Sequence, residues 1–178
     1  MEEQIRQIVR SYSRLIMHDK FYFWPEIPRR KLNTVLKSYA KGIQPSEVLA
    51  LIDNTVFGSA KDGGIITTHE FIAHNPLEGP RRALFGAINS VTLAEGLVST
   101  IHINDGKFLE LSIQERQPIM TFVKMLREIV NLHSPQTAVQ SETQSPVEAL
   151  KQLKELLDSG IITPEEFEIK RKQYLERL

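Results

Sequence analysis

The segment His69-Glu70-Phe71-Ile72-Ala73-His74 comes within one residue of the zinc-protease spelling H-E-x-x-H. That spelling works because histidines four apart share one helix face. Here they are five apart, which takes them off a shared helix face, and on a strand the odd separation puts them on opposite sides. The run Gly58-Ser59-Ala60-Lys61-Asp62-Gly63-Gly64 holds the glycines and the lysine of a phosphate cradle. A P-loop, however, needs G-x-x-x-x-G-K-[ST], whereas here Gly63 is followed by Gly64-Ile65 and the lysine lies inside the loop. A plain hairpin turn is expected. Asp53, Asp62 and Glu70 could act as acid and base beside His69, yet carboxylates at turns more often hydrogen-bond backbone. His18, His102 and His133 stand alone, without a second ligand at metal spacing. The absence of Cys removes thiolate catalysis and Cys-ligated zinc, and no G-x-S-x-G elbow is present. No catalytic residue, metal or other cofactor is expected, and the chain reads as non-enzymatic.

The elements that would position such residues belong to a chain of 178 residues, room for one ordinary domain plus a small extra. Its 22 Lys+Arg against 22 Asp+Glu give no net charge, unlike the basic footprint of a dedicated nucleic-acid protein. The charge is uneven, about +4 over residues 1–48 and about −2 over each of 49–140 and 141–178. No apolar stretch approaches the ~18 residues of a membrane span. The acidic start Met1-Glu2-Glu3-Gln4 does not resemble a secretory signal. A cytoplasmic location is the default.

Residues 1–44 read as a helical segment. Ile5, Ile8, Val9, Tyr12, Leu15 and Ile16 make an apolar stripe at helical spacing. Arg6, Arg10 and Arg14, each four apart, form a basic row on another face. With Arg29, Arg30 and Lys31 they are the candidates for holding an anionic surface, although a solvated helix face is the plainer reading. Phe21-Tyr22-Phe23-Trp24-Pro25 and then Pro28 force an extended turn whose aromatics seal a corner between helices or await a partner. Leu32, Val35, Leu36, Tyr39 and Ala40 suggest a second helix, stopped at Gly42.

Residues 45–132 read as a β domain with a closing helix. Glu47 to Thr55 fits a helix end or a first strand. Val56-Phe57 lead into the glycine loop, and Ile65-Ile66-Thr67-Thr68 and Phe71-Ile72-Ala73 are strands. Leu84-Phe85 and Ile88 to Leu93 are shorter candidates. Thr100–Ile103 and Phe108–Ile113 flank a turn at Asn104-Asp105-Gly106, a hairpin of the Asp-Gly kind. Ile119, Phe122, Val123, Leu126, Ile129 and Val130 mark a helix from about 115 to 132.

The run from Asp53 to Thr68, with the later hairpin and helix, resembles the bacterial pleckstrin-homology-like proteins, in which a GSAK-DG type turn joins the first two strands. The resemblance covers about 47–132 and implies an antiparallel sheet or barrel capped by a helix. Pleckstrin-like domains that bind phosphoinositides use several basic residues around that loop. Here Lys61 is followed by Asp62, which nearly cancels it, and Arg81 and Arg82 sit on another loop.

Residues 133–145, polar and poor in large apolar side chains, read as a flexible linker. Ser145-Pro146-Val147-Glu148 is a capping box with Pro at the first helical position, and Thr163-Pro164-Glu165-Glu166 repeats it. Between them lie Leu150, Leu153, Leu156 and Leu157, then Asp158-Ser159-Gly160-Ile161-Ile162. Phe167, Tyr174 and Leu178 follow near heptad spacing. This pattern over 146–178 resembles the SHOCT (short C-terminal) domain: a leucine-bearing helix, D-S-G-I-I-T, an E-E-F start and a basic second helix. The resemblance implies a prokaryotic helical hairpin that mediates oligomerisation. Physically, 33 residues are too few to fold alone, because below ~40 residues disulfides, metals or partners are usually needed. Leu150, Leu153, Leu156, Leu157, Ile161, Ile162, Phe167, Tyr174 and Leu178 therefore seek cover, from a second copy or from the main domain.

The expectation is an α+β chain of bacterial or phage origin. It self-associates through 146–178 and offers its central domain to an unknown protein or peptide partner. The alternative is an anionic-surface binder, of lipid headgroup or nucleic acid, acting through the basic front segment.

Overall fold

Ala50-Leu51-Ile52-Asp53 has no side fit for solvent until its last residue, and all four residues are buried. Such a strand needs cover on both faces. The computed structural model describes residues 1–133, and they supply that cover. The elements are α1 (Glu2–Ser13), β1 (Phe21–Phe23), α2 (Arg29–Lys37), β2 (Ala50–Asp53), β3 (Gly63–Ile66), β4 (Glu70–His74), β5 (Arg81–Leu84), β6 (Val91–Ala94), β7 (Ser99–Ile103), β8 (Gly106–Leu111) and α3 (Arg116–Asn131). Strands β1 to β5 form an antiparallel meander in chain order, and β6 to β8 form a second sheet. The mixture of helix and antiparallel sheet is the α+β class expected. Among the described residues no helix is long and apolar enough to cross a membrane.

Register sorts the first sheet's side chains into two cores. Leu51 pairs with Ile65 and Ile65 with Ile72, so the three share one face. That face meets Val35 of α2 with Tyr39, Ala40 and Val48. Ala50, Ile66 and Phe71 line up on the opposite face. They join Ile5, Val9 and Tyr12 of α1, Ile101 and Leu109 of the second sheet, and seven buried residues of α3. Tyr12 ties the helices together, its hydroxyl donating to Glu128 at 2.8 Å. Burial, helped by that carboxylate, pushes the hydroxyl up to about 12.

The glycines of the candidate phosphate loop serve packing. Gly63 has φ +135°, and a Cβ there would fall 2.0 Å from the Ile52 carbonyl oxygen. A Cβ on Gly64 would meet the Phe71 ring at 2.9 Å and Leu109 of β8 at 3.3 Å. The pair thus opens β3 and lets the second sheet approach it.

Several expectations need correction. Phe21-Tyr22-Phe23 is a strand: its pattern is buried, half-buried, buried, and it pairs with Ile52, Leu51 and Ala50. Backbone pairing with β2 outweighs the two prolines that follow it. The expected break at residue 44 is therefore absent, and the chain divides into the units Met1–Ser134 and Pro135–Leu178. Leu15 leaves the α1 stripe and is 66% exposed, because the helix stops at Ser13 and the chain turns there. α2 ends at Lys37, short of Gly42; Tyr39 and Ala40 are buried beyond its end. The β7–β8 hairpin holds, but its two turn residues are Asn104 and Asp105, at φ 51° and 64°. Those values suit a type I′ turn, and Gly106 opens β8. His133, the first residue of the expected linker, packs its ring 5.7 Å from that of Phe85; the rest of the linker and the C-terminal hairpin, with all nine of its expected contact residues, lie outside the described residues.

The outer edge of β8 is satisfied by side chains rather than by a neighbouring strand. The Asn75 amide accepts from Glu110 N at 2.9 Å and donates to Phe108 O at 3.3 Å. The Asn54 amide donates to Glu110 O at 2.8 Å and accepts from Ser112 N at 2.9 Å. Arg81 donates to Lys107 O at 2.7 Å. Glu78 holds Asn75, Arg81 and Lys107 together, and the hydrogen bonds from Lys107 and then Asn75 bring its carboxyl down to about 2. Asn75→Ala leaves two strand groups without partners. It should cost about 2–6 kcal/mol, since each unsatisfied buried group costs about 1–3 kcal/mol. Urea unfolding followed on Trp24, the only tryptophan, measures this. Asn33→Ala, exposed on α2, should change stability by less than about 0.5 kcal/mol.

Candidate binding cleft

The loop joining β2 to β3 begins at a carboxylate with no solvent exposure, that of Asp53. An isolated buried carboxylate is costly, so the chain brings it donors. It accepts from Thr55 N at 3.0 Å, from the Thr55 hydroxyl, and from Ala60 N at 3.2 Å. Lys31 of α2 completes the set as an ion pair with Asp53, and donates to Gly58 O at 2.6 Å. The Lys31 ammonium also lies 5.0 Å from the Tyr22 ring centroid on β1. Thr55 Oγ1 accepts from Ser59 N at 2.8 Å, and Lys20 donates to Thr55 O at 2.7 Å.

A loop wound with its polar groups inward has no room there for apolar side chains. Val56 and Phe57 therefore point out, 83% and 93% exposed. They wall a cleft of about 490 Å³ with Pro76, Val98, Asp62 and Glu110. A second cleft of about 320 Å³ shares Asn54, Thr55, Val56 and Ser112 with the first. It runs on to His18, Asp19 and Glu115. His18 accepts from Lys20 N at Nδ1, 3.0 Å, and meets Glu115 through Nε2 at 3.0 Å. The hydrogen bond from His18 holds the Glu115 carboxyl below its ordinary range.

The sequence candidates scatter over this framework. Lys31, counted as an anion-binding residue, is corrected: it is half-buried and committed to Asp53 and Gly58. Arg6 donates to Ser46 O at 3.2 Å. Arg10 on α1, Arg14 just past its end, and Arg29 and Arg30 on α2 are exposed. Arg6 and Arg10 border a notch of only about 30 Å³ beside Trp24. The acid–base candidates are each occupied elsewhere. Glu70 takes Arg82 through two bonds of 2.7 and 2.9 Å. His69 lies 3.7 Å from Glu2 and 3.9 Å from Glu47. His74 meets Asp62 at 2.9 Å and stacks on Tyr39. Among the described residues no three His, Asp or Glu side chains are grouped to hold a metal. Sequence reasoning missed the Asn54 and Asn75 clamps and the Asp53–Lys31 pair. Only Asp53-Asn54-Thr55, a run prone to side-chain-capped turns, offered a signal.

Burial pushes the Asp53 carboxyl up, but the hydrogen bonds from Lys31 and Thr55 together hold it below its ordinary 3.8. Burial lowers Lys31, and Asp53 more than restores it, to above 10.5. The carboxylate's contribution to stability is thus full above 3.8 and lost as pH falls through its lower folded value. The ammonium's is full below 10.5 and lost as pH rises through its higher folded value. Lys31→Met strands the carboxylate and should cost about 3–5 kcal/mol at neutral pH. Urea unfolding should show the gap to the unsubstituted chain narrowing in acid, where the stranded carboxyl takes a proton.

Residues 148–175 match the family model described as Short C-terminal domain, SHOCT. An uncharacterized protein of Archaeoglobus fulgidus is 35% identical over 72 residues, which are 38% of this chain and 38% of that protein. The matched stretch thus spans well under half of that relative's length. No solved structure matches.

Proposed function

We propose, from the premise that this chain carries a Short C-terminal domain at residues 148–175, that it is a non-enzymatic interaction protein. In this reading residues 146–178 join copies of the chain, and residues 1–133 form a binding platform of pleckstrin-like build. The likeness of build rests on architecture. Four meander strands, β2 to β5, are followed by the three strands β6 to β8 and the long helix α3. The observation that carries the platform reading is the outward display of Val56 and Phe57 at the cleft, beside the 43% exposed Val98. Apolar side chains held out by a rigid loop are what a protein partner buries.

The self-association half rests on the family match and on the small size of the hairpin. Joined copies raise weak binding by effective concentration, about 10²–10⁴-fold where geometry allows. The anionic-surface alternative keeps Arg10, Arg14, Arg29 and Arg30 but gives up Lys31, and it has four arginines spread over α1, the residue after it and α2 in place of a concentrated patch.

Light scattering on the full chain and on a chain ending at Val139 tests the reading. The full chain should be oligomeric and the shortened one monomeric. The double change Leu153→Asp, Leu157→Asp should return the full chain to monomer mass. A mass unchanged by the double substitution removes residues 146–178 from the assembly role.

A further inference from the structure

The cleft beside Phe57 has a charge as well as an apolar rim, and the two together specify a ligand. Its two compartments are walled by five carboxylates against two lysines. Asp53 is neutralised by Lys31. Four carboxylates remain: Asp62, bonded to His74, and Glu110, 3.5 Å from Lys107, in the larger compartment, and Asp19 and Glu115 in the smaller. Lys20, which donates to the Thr55 carbonyl 2.7 Å away, and the exposed Lys61 offset two of these charges, and with Lys107 beside Glu110 the cleft still carries a net negative charge. Asp19 and Glu115 have side chains 85% and 64% exposed, so their charge is open to an incoming group.

Resting on the platform reading above, we infer that the cleft takes a basic, extended peptide segment: an apolar side chain seated against Val56 and Phe57, with lysine or arginine flanking it. The two compartments adjoin at Asn54, Thr55, Val56 and Ser112, so an extended chain crossing those residues reaches both, whereas a single small molecule occupies one. Phosphate-bearing ligands, whether lipid headgroup or nucleic acid, meet net negative charge here and are repelled. The partner does not add a strand to β8, because Asn54 and Asn75 already hold that strand's outer groups. Recognition therefore runs through side chains, apolar for affinity and charged for orientation and on-rate.

Selection of random twelve-residue peptides on the immobilised full chain tests this, with recovered peptides re-measured by fluorescence anisotropy. The expected peptides pair an aliphatic or aromatic residue with neighbouring Lys or Arg. Phe57→Ser should weaken them about tenfold or more. Glu110→Lys with Glu115→Lys should weaken them by a similar factor, and raising salt from ~0.05 to ~0.5 M should weaken the unsubstituted chain severalfold. All three substituted residues are half-exposed or exposed, and an unchanged urea midpoint confirms that each variant folds. Acidic or uncharged peptides that still depend on Phe57 overturn the basic ligand and leave the platform standing. Recovery of no peptide that depends on Phe57 overturns both.

Discussion

A carboxylate with no access to water sits at the end of a central strand, and much of the domain is arranged to keep it charged. Asp53 gathers the Lys31 ammonium, two backbone amides and a threonine hydroxyl. Meeting that demand draws in three separate parts of the chain. α2 must lie where Lys31 reaches down, β1 must place Tyr22 beside the ammonium, and the loop after β2 must curl round both. A buried pair of this kind contributes little net stability over an apolar substitute, but it is specific about geometry. Its consequence is the loop's conformation: polar groups inside, Val56 and Phe57 outside. The cleft is thus a by-product of a charge that could not be left alone.

The same economy of polar groups governs the join between the sheets. Where β3 and β8 approach, no backbone ladder completes the closure. Two asparagine amides stand in for the missing strand, each offering one donor and one acceptor to alternate residues of β8. Gly64 makes the approach possible by lacking a side chain that would strike Phe71 and Leu109. The residue types that suggested phosphate chemistry in the sequence thus serve closure in the fold.

How much was legible follows from how local each signal was. α3 and the β7–β8 hairpin were plain, because Ile119 to Val130 keep helical spacing and Asn104-Asp105 keeps turn chemistry within a few residues. α1 was legible for the same reason up to Tyr12; Leu15 continued the spacing after the helix had stopped. β1 was not legible, since three aromatics before a proline give no period and their pairing with residues 50–52 is decided thirty residues away. Lys31 looked like one of a basic triplet, and only its distance to Asp53 in space distinguishes it from Arg29 and Arg30. Asn54 and Asn75 looked like ordinary turn residues. Their role depends on β8, a partner far along the chain.

The meander order of β1 to β5 also bears on how the chain is made. A ribosome delivers residues from the N-terminus, and domains fold in that direction as they emerge. Each strand of the first sheet after β1 therefore comes out next to a partner that already exists. Ala50–Asp53, apolar on both faces, meets Phe21–Phe23 waiting for it, and Gly63–Ile66 then meets Ala50–Asp53. After β1, which waits for β2, the nascent chain does not have to hold an unpaired strand of this sheet for a distant partner. Only the large core face stays open, and it closes when α3, the last element of the unit, leaves the tunnel.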